Sequence, residues 1–296
     1  MTYIARKRRW SRFVDPQSGS ALIVPIDHGL TVGPVRGIAR LEDMFGWVSR
    51  GLQTGVVVHK GLAERLGLVT SGGMIIHLNG TLSLDEQPDR KRLLTSVEAA
   101  VRLGADAVSV QTNFLPANTG SNLRLLGRVI DDAHQFGLPV LAMLYDKTGA
   151  GNASERMRRM RHFVRAAVEM GADAIKLGVP DDLSAIAELV DGMQSHTSVV
   201  FAGGERKTDE QLVELARAIV QYGGAGLCVG RNVFQHDDPC GILAELLDAL
   251  RTAGTACGEA DGARRFPDGL RPHFEPGADP RGLCKPVKEP VRFATT

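Results

Sequence analysis

Eight short apolar segments that alternate with helix-forming segments constrain the fold of this 296-residue chain more than any other feature. They occupy residues 21–26, 55–58, 74–76, 106–110, 139–144, 174–177, 198–201 and 226–229. Strands separated by helices predict a parallel sheet, and eight of them fit a closed barrel better than a doubly wound sheet, which usually has fewer strands and one glycine-rich first turn. We therefore predict an α/β fold, a (β/α)8 TIM barrel in a single domain.

The predicted barrel spans residues 21–252, and the segments on either side of it differ in composition. Residues 1–20 are first basic and then polar, without the apolar stretch of a secretion signal. Residues 253–296 are rich in glycine, proline and mixed charges. We predict that this last segment is a tail without a core of its own.

Apolar spacing also predicts the bounds of two barrel helices. Apolar residues at helical spacing, among them Leu93 and Leu94, predict a helix over 90–103. A second apolar stretch predicts the last helix of the barrel over 243–250.

Overall composition narrows the possible partners. The formal net charge is +1 and 5% of residues are aromatic, so we expect no nucleic-acid partner. No apolar run approaches the about 20 residues of a membrane-spanning helix, so we expect no membrane partner. The four cysteines contain no Cys-x-x-Cys pair, which predicts reduced thiols and a cytoplasmic protein.

Lys176 is the residue with the clearest chemical implication. It stands near the end of an apolar run between Gly171 and Gly178, as in a buried parallel strand. Burial disfavours a charged lysine, so the amine is predicted to be neutral and nucleophilic, as a Schiff base with a carbonyl substrate requires. The alternative is a lysine paired with a carboxylate inside the fold.

Two more polar residues follow predicted strands at the same edge of the barrel. Asp27 follows the first strand and Tyr145 the fifth, and barrel enzymes carry their catalytic residues at the carboxyl ends of the strands. Side-chain alternation brings both together with Lys176 if the relevant faces point inward. Tyr145 is a candidate acid/base, or a rim tyrosine bonded to water. Asp27 is a candidate for holding a substrate hydroxyl or moving a proton, or it caps its loop.

Glycines after the seventh and eighth strands predict a phosphate site. Gly203, Gly204 and Gly230 let backbone N–H groups approach an anion, and these two loops of a barrel often hold phosphate. Arg231 adds a guanidinium that can contact two phosphate oxygens. Lys207 is a rival to Lys176 as the reactive amine, but an exposed loop would keep it protonated and make it a phosphate contact.

Three histidines raise the alternative of a metal site. His28, His59 and His77 follow strands one to three, and three imidazoles can hold a catalytic zinc. None of them has the close His-x-His spacing that fixes a pair of ligands. We predict hydrogen-bonding roles at the rim and no metal, with His28 among the residues that contact substrate.

Several motifs carry a family resemblance. They are residues 24–37, His59-Lys-Gly61, Ile75-Ile-His-Leu78, Gly104-Ala-Asp-Ala-Val-Ser109, Ala202-Gly-Gly204 and residues 229–238. With these motifs, in order over about residues 20–250, the chain resembles the archaeal-type class I aldolases of the DeoC/LacD family. Within the family it is similar to the 2-amino-3,7-dideoxy-D-threo-hept-6-ulosonate synthases, and it shares core residues with the fructose-bisphosphate aldolases.

The resemblance implies a Schiff base on Lys176, with Tyr145 as the acid/base and Asp27 as its helper, and no cofactor. The implied substrates are a phosphorylated ketose donor, either dihydroxyacetone phosphate or a deoxyketohexose phosphate, and a small aldehyde such as aspartate semialdehyde. The product would feed an aromatic or aminohydroxybenzoate pathway, and relatives imply a homo-oligomer. Fructose 1,6-bisphosphate cleavage is an alternative. A metal-dependent lyase and a non-catalytic phosphosugar-binding barrel are two more.

Two positions depart from the family pattern. The family usually has Tyr-Pro-Arg-Gly where this chain has Tyr145-Asp-Lys-Thr-Gly149, which changes the charge beside the predicted acid/base. A polar run after the family's lysine is replaced here by Leu177-Gly-Val179. Both changes bear on the acceptor side of the site.

Overall fold

Eight parallel strands close into a barrel in chain order, with the first strand paired to both the second and the eighth. The computed structural model describes residues 2–149, 151–193 and 196–260. The barrel strands are β1 Ala21–Pro25, β2 Gly55–Val58, β3 Gly73–His77, β4 Ala107–Phe114, β5 Val140–Asp146, β6 Ala174–Leu177, β7 Ser198–Ala202 and β8 Gly226–Cys228. The predicted (β/α)8 barrel is confirmed.

Helices alternate with the strands, and the longer ones pack on the outer face of the barrel. They are α1 Thr2–Trp10, α2 His28–Val32, α3 Leu41–Val48, α4 Lys60–Leu66, α5 Val97–Arg102, α6 Thr119–Gln135, α7 Ala153–Glu169, α8 Ile186–Val190, α9 Asp209–Gln221, α10 Arg231–Phe234 and α11 Pro239–Ala260. Asn152 and Thr208 begin α7 and α9 with capping boxes, which pair backbone N–H groups that a helix start leaves free. None of the described helices is both long and apolar enough to cross a bilayer.

Alternate residues of the strands fill the inside of the barrel. The interior cluster includes Ile23, Val57, Ile75, Ala107, Leu141, Met143, Ala174, Val200 and Cys228. Successive side chains of a strand point to opposite faces, so Tyr145, two residues after Met143, and Lys176, two after Ala174, share this inward face. Both stand nearer the carboxyl ends of their strands, where barrel enzymes hold their substrates.

The N-terminal segment closes the opposite end of the barrel, which the sequence did not predict. Phe13 is fully buried in the interior cluster. A Cβ on Gly55 or Gly73, at the starts of β2 and β3, would lie within 2.5 Å of the Phe13 ring, so only glycine leaves room for it. Trp10 donates its indole N–H to Ser198 Oγ, at the start of β7, over 2.9 Å. We call Trp10 and Phe13 the N-terminal plug.

The segment 90–103 is not the single helix that the sequence predicted. Ser96 accepts a backbone hydrogen bond in the first turn of α5 and thereby starts the helix seven residues later than predicted. Upstream, Arg92–Leu93 forms an antiparallel pair with Asn79–Gly80 after β3. Leu93 and Leu94 are both exposed.

The last helix extends further than predicted. Apolar spacing predicted 243–250, whereas α11 continues to Ala260. Gly254 of this helix packs closely on the N-terminal segment, since a Cβ there would lie 2.7 Å from the Ser18 carbonyl oxygen. The first residues assigned to the tail by composition therefore continue the helix. The rest of the predicted tail, 261–296, lies outside the described residues.

An ion pair between the N-terminal segment and α11 predicts part of the acid sensitivity of the fold. Arg251 donates two hydrogen bonds to Asp15, at 2.8 and 3.1 Å. This contact, together with bonds from Ser18, holds the pKa of Asp15 at about 2, below its usual 3.8. A lowered folded-state pKa stabilises the protein above the unfolded pKa, and the stabilisation is lost as pH falls towards the folded pKa.

We expect Arg251→Met to lower the free energy of unfolding at pH 7 by about 1 to 2 kcal/mol. The difference from the unsubstituted protein should shrink between about pH 5 and pH 2, where Asp15 becomes protonated in the unfolded and then the folded state. Urea unfolding at several pH values measures this. Arg128→Met is the control, because the exposed Arg128–Asp132 pair should contribute less than about 1 kcal/mol. A difference that is constant over the whole pH range would contradict the prediction.

Candidate active site

Lys176 projects into the barrel from β6. Its Cα is paired with those of Met143 on β5 and Val200 on β7, and 7% of the residue is exposed. Its side chain lies within hydrogen-bonding reach of Cys228 and interacts electrostatically with Asp27. The predicted nucleophile is therefore deeply enclosed, yet a carboxylate is close to it.

The charge state of Lys176 differs from the sequence prediction. Burial alone lowers the pKa of this amine, but Cys228, Tyr145 and Asp27 outweigh burial and raise the pKa above its usual 10.5. Burial raises the pKa of the Cys228 thiol, so at neutral pH the thiol is protonated and Asp27 carries the negative charge. The raised pKa favours the ammonium form of Lys176 and contradicts the predicted neutral amine. Lys176 must lose a proton before it attacks a carbonyl.

Asp27 ends the loop after β1 and lies among histidines. Its two carboxylate oxygens are 3.7 Å from His28 Nδ1 and 3.9 Å from His77 Nε2. Burial would raise the pKa of Asp27, but interactions with His77, His28 and Lys176 outweigh burial and lower it. Burial also lowers the pKa of His77 to about 4, and His77 Nδ1 lies 2.8 Å from Ser109 Oγ. At neutral pH an ionised carboxylate therefore stands beside a neutral imidazole.

Tyr145 packs against the interior cluster from the end of β5. The next residue, Asp146, forms an ion pair with Arg159 of α7 at 2.8 Å. Lys147 turns back, with its ammonium 5.9 Å from the centroid of the Tyr145 ring. The departure from the family pattern thus places a cation, and not the new carboxylate, against the predicted acid/base.

The loops after β7 and β8 are joined by one buried side chain. Asn232 accepts a hydrogen bond from the Lys207 backbone N–H at 2.8 Å and donates to the Glu205 carbonyl at 3.0 Å. Arg231 donates to the Gly204 carbonyl at 3.3 Å and is otherwise exposed. The backbone of both loops is therefore fixed while the guanidinium faces solvent.

Two glycines of these loops are required by their surroundings. Gly204 has φ +74°, which side chains other than glycine rarely adopt. A Cβ on Gly230 would lie 2.9 Å from both His28 Cε1 and the Pro25 carbonyl oxygen. Gly230 thus lets the loop after β8 approach the histidine that follows β1, which brings the predicted phosphate loops next to Asp27.

The three histidines are held by hydrogen bonds and ring contacts. His59 Nδ1 lies 3.2 Å from the His77 carbonyl oxygen, and the His59 and His77 rings meet edge to face. His28 packs edge to face on Phe234 of α10. Within the described part of the chain, no group of three or more His, Cys, Asp or Glu side chains is arranged to hold a metal ion.

Some residues of the site were not predicted as part of it. Cys228 was treated only as a reduced thiol, although it ends β8 on the inward face. His77 was considered only as a ligand or rim residue, and Asn232 was not considered. Side-chain alternation was the available signal for Cys228, since it stands two residues before Gly230, which was already a candidate. The role of Asn232 depends on contacts across 25 to 29 residues of sequence, for which no local pattern exists.

Comparison with known proteins identifies the family. The sequence matches the DeoC/LacD family of aldolases over residues 21–236, which includes every barrel strand. The chain belongs to this family. It is a class I aldolase, a carbon–carbon lyase of the Schiff-base-forming type.

Relatives of known function support this assignment. A 2-amino-3,7-dideoxy-D-threo-hept-6-ulosonate synthase from Archaeoglobus fulgidus is 32% identical over 245 residues, which cover 82% of this aldolase and 90% of the relative. A 2-amino-4,5-dihydroxy-6-oxo-7-(phosphonooxy)heptanoate synthase from Streptomyces griseus is 31% identical over 268 residues, or 90% and 95% of the two chains. The family resemblance predicted from the motifs is confirmed.

Solved structures give the same fold. An archaeal fructose 1,6-bisphosphate aldolase superposes with a TM-score of 0.74 and 27% identity, covering 83% of this aldolase and 98% of that chain. Another archaeal fructose-1,6-bisphosphate aldolase, with its catalytic lysine covalently bound to the carbinolamine intermediate of the substrate, gives a TM-score of 0.72 and 26% identity over 82% and 98%.

Proposed function

We propose that Lys176 forms a Schiff base with a phosphorylated ketose and that the resulting enamine adds to an aldehyde, with aspartate semialdehyde as the acceptor. The observation that carries this proposal is the convergence of Lys176, Asp27 and Tyr145 at the carboxyl end of the barrel. An amine, a carboxylate and a phenol are the groups that iminium chemistry needs, one to bond carbon and two to move protons.

The names of the relatives support the choice of substrates. A 2-amino-4,5-dihydroxy-6-oxo-7-(phosphonooxy)heptanoate divides at its C4–C5 bond into dihydroxyacetone phosphate and aspartate semialdehyde. A 3,7-dideoxy-hept-6-ulosonate carries no phosphate at C7, so its donor fragment would come from a deoxyketose by transfer. We propose the same class of amino-sugar acid as the product here, and a place before aromatic or aminohydroxybenzoate synthesis.

In the proposed reaction Lys176 first loses a proton to solvent, and Asp27 then carries the proton that the attacking nitrogen gives up to the departing hydroxyl of the carbinolamine. The free amine attacks the donor ketone to give a carbinolamine, which loses water to form an iminium ion. Tyr145, as the phenolate, takes a proton from the α-carbon and becomes a phenol, and the electron pair moves into the iminium to form an enamine. The enamine carbon attacks the aldehyde, whose oxygen receives the proton back, and water releases the product from Lys176.

The loops after β7 and β8 would hold the donor phosphate. Gly203, Gly204 and Gly230 would present backbone N–H groups, and Arg231 its solvent-facing guanidinium, with Lys207 alongside. His28 packs against Gly230 and so connects this anchor to Asp27. Fixing the phosphate would hold the ketone beside Lys176, and such positioning lowers the barrier by removing translational freedom beforehand.

Fructose 1,6-bisphosphate cleavage is the second candidate. The archaeal aldolases that superpose on this barrel at 26–27% identity favour it. It would use the same amine and the same donor fragment, since dihydroxyacetone phosphate is half of fructose 1,6-bisphosphate. The two candidates differ only in the aldehyde, so the relative rates with aspartate semialdehyde and glyceraldehyde 3-phosphate as acceptors separate them.

Borohydride trapping tests the proposed nucleophile. Incubation with dihydroxyacetone phosphate and reduction should give one covalent adduct, which mass mapping places on Lys176, because borohydride reduces an iminium to a stable secondary amine. A matched incubation without ketose is the control. An adduct on Lys207 would show that Lys207, and not Lys176, is the nucleophile. Binding without adduct or turnover would indicate a phosphosugar-binding barrel, and turnover that chelator abolishes and borohydride does not affect would indicate a metal-dependent lyase.

The homo-oligomeric state and the cytoplasmic location stay predictions. The oligomeric state rests on the family resemblance, and the location rests on the cysteine pattern.

A further inference from the structure

A second buried lysine has no role in the proposed chemistry. Lys91 lies in the connection between β3 and α5, and 8% of the residue is exposed. Its ammonium donates to Thr81 Oγ1 at 3.0 Å, and its backbone N–H donates to Asn122 Oδ1 at 3.1 Å. A buried ammonium is costly unless it is paired, and one neutral hydroxyl leaves two of its three N–H donors to be satisfied.

The surroundings of Lys91 place its charge at the mouth of the barrel. It interacts electrostatically with His77, which lies beside Asp27, and with Lys147, which lies over the Tyr145 ring. The preceding segment is fixed to the top of β4, because Asp89 Oδ1 accepts a hydrogen bond from Asn113 at 2.8 Å. Asn113 is the residue of β4 whose Cα pairs with that of Tyr145.

The charges at this point do not balance. Lys91 and Lys147 are two cations, and Asp89 is the one carboxylate that interacts with Lys91. In the portion of the chain that the structure describes, neither lysine has a carboxylate oxygen within 4.0 Å. Burial lowers the pKa of Lys91, Asp89 raises it by a smaller amount, and the neighbouring Lys147 lowers it again because the two ammonium groups carry like charges.

Lys91 and Lys147 lie on the opposite side of Lys176 from the predicted phosphate loops. The barrel order places β4 and β5 on the far side of β6 from β7 and β8. Lys147 follows β5 and Lys91 is tied to the top of β4, whereas the proposed donor phosphate site follows β7 and β8. A donor anchored at that site reaches Lys176 from one side, so the acceptor aldehyde enters from the side of Lys91 and Tyr145.

We propose that Lys91, with Lys147, binds the anionic group at the far end of the acceptor aldehyde. This inference rests on the proposed function, and it names the acceptor class: an aldehyde that carries a carboxylate or a phosphate. One such group neutralises the excess positive charge and fills the donors of Lys91 that Thr81 leaves. The hydroxyl of Thr81 is held by the Pro88 carbonyl, at 2.5 Å, which orients the ammonium.

Steady-state rates with matched acceptors test the proposal. Aspartate semialdehyde is compared with its amide, 2-amino-4-oxobutanamide, and glyceraldehyde 3-phosphate with glyceraldehyde. Lys91→Met should lower kcat/KM for the anionic member of the preferred pair by about 10- to 100-fold and leave the uncharged member within about 2-fold, because only the charged hydrogen bond is lost. Lys91→Arg should recover part of the loss. The pair with the larger effect tells whether the group is a carboxylate or a phosphate.

Two further variants provide a second test and a control. Lys147→Met changes an exposed residue and should reduce the same discrimination to a smaller extent. Lys60→Met is the control, because Lys60 is also an exposed lysine near the hairpin, where it donates to the Leu94 carbonyl, and it should leave the discrimination unchanged. Equal losses for charged and uncharged acceptors in Lys91→Met, or no loss for either, would overturn the proposal.

Trapping of the donor separates this proposal from the one on which it rests. Lys91→Met should still give the borohydride-stable adduct on Lys176 at the same yield. If the unsubstituted protein gives no adduct on Lys176, the proposed nucleophile fails. The acceptor discrimination, measured from rates, still decides whether Lys91 binds the acceptor.

Discussion

Lys176→Met is expected to lower the rate of carbon–carbon bond formation and cleavage by about 10⁴-fold or more and to abolish the borohydride-stable adduct. The thioether cannot form an iminium ion, and a residue that forms the covalent intermediate has no substitute in the remaining site. Single-turnover assays in both directions, with mass analysis after reduction, measure the two effects. Methionine fills a similar volume without a charge, so the interior of the barrel stays packed.

The control for this variant is Lys60→Met, which should retain both the rate and the adduct. Thermal unfolding of Lys176→Met should show an intact fold, since the substitution removes a buried ammonium. Substantial activity in Lys176→Met, together with a new adduct on Lys207, would contradict the assignment of the nucleophile.

Tyr145→Phe is expected to lower kcat by about 10²- to 10⁴-fold, the usual contribution of a positioned acid/base. The phenyl ring keeps the contacts of Tyr145 with the interior cluster and with the Lys147 ammonium, so only the hydroxyl is lost. Carbinolamine and iminium formation do not require the α-proton to be removed. The adduct with dihydroxyacetone phosphate should therefore still form on Lys176.

Exchange of the donor α-proton with solvent deuterium measures the step directly. It should slow in parallel with kcat in Tyr145→Phe. An unchanged exchange rate would assign the proton transfer to another group. Loss of the adduct itself would show that the hydroxyl acts earlier, in carbinolamine formation or dehydration.

The barrel could be predicted because its information is local. Each strand is a short apolar run next to a glycine turn, and each polar site candidate follows such a run at a known edge. The error over 90–103 has the same origin. Leu93 and Leu94 have helical spacing, but Ser96 starts the helix after them, and the hairpin formed by Arg92–Leu93 depends on pairing with residues near Asn79.

The charge of Lys176 could not be predicted from its own strand. Burial was inferred correctly from the apolar run around it. The groups that reverse the effect of burial on its pKa are Cys228 on β8, Tyr145 on β5 and Asp27 in the loop after β1, and they lie 31 to 149 residues away in sequence. Lys91 was missed for a related reason, since its burial depends on a hairpin that the helical prediction replaced.

The N-terminal plug makes part of folding depend on residues that are synthesised much later. Trp10 and Phe13 are synthesised before every strand of the barrel, yet Ser198, the partner of Trp10, is 188 residues further along the chain than Trp10. Trp10 therefore cannot make this hydrogen bond until the first six barrel strands have been synthesised, and contacts between such distant residues form slowly. The N-terminal plug closes the barrel at the amino ends of its strands, so we expect docking of this segment to be a late event on the folding pathway.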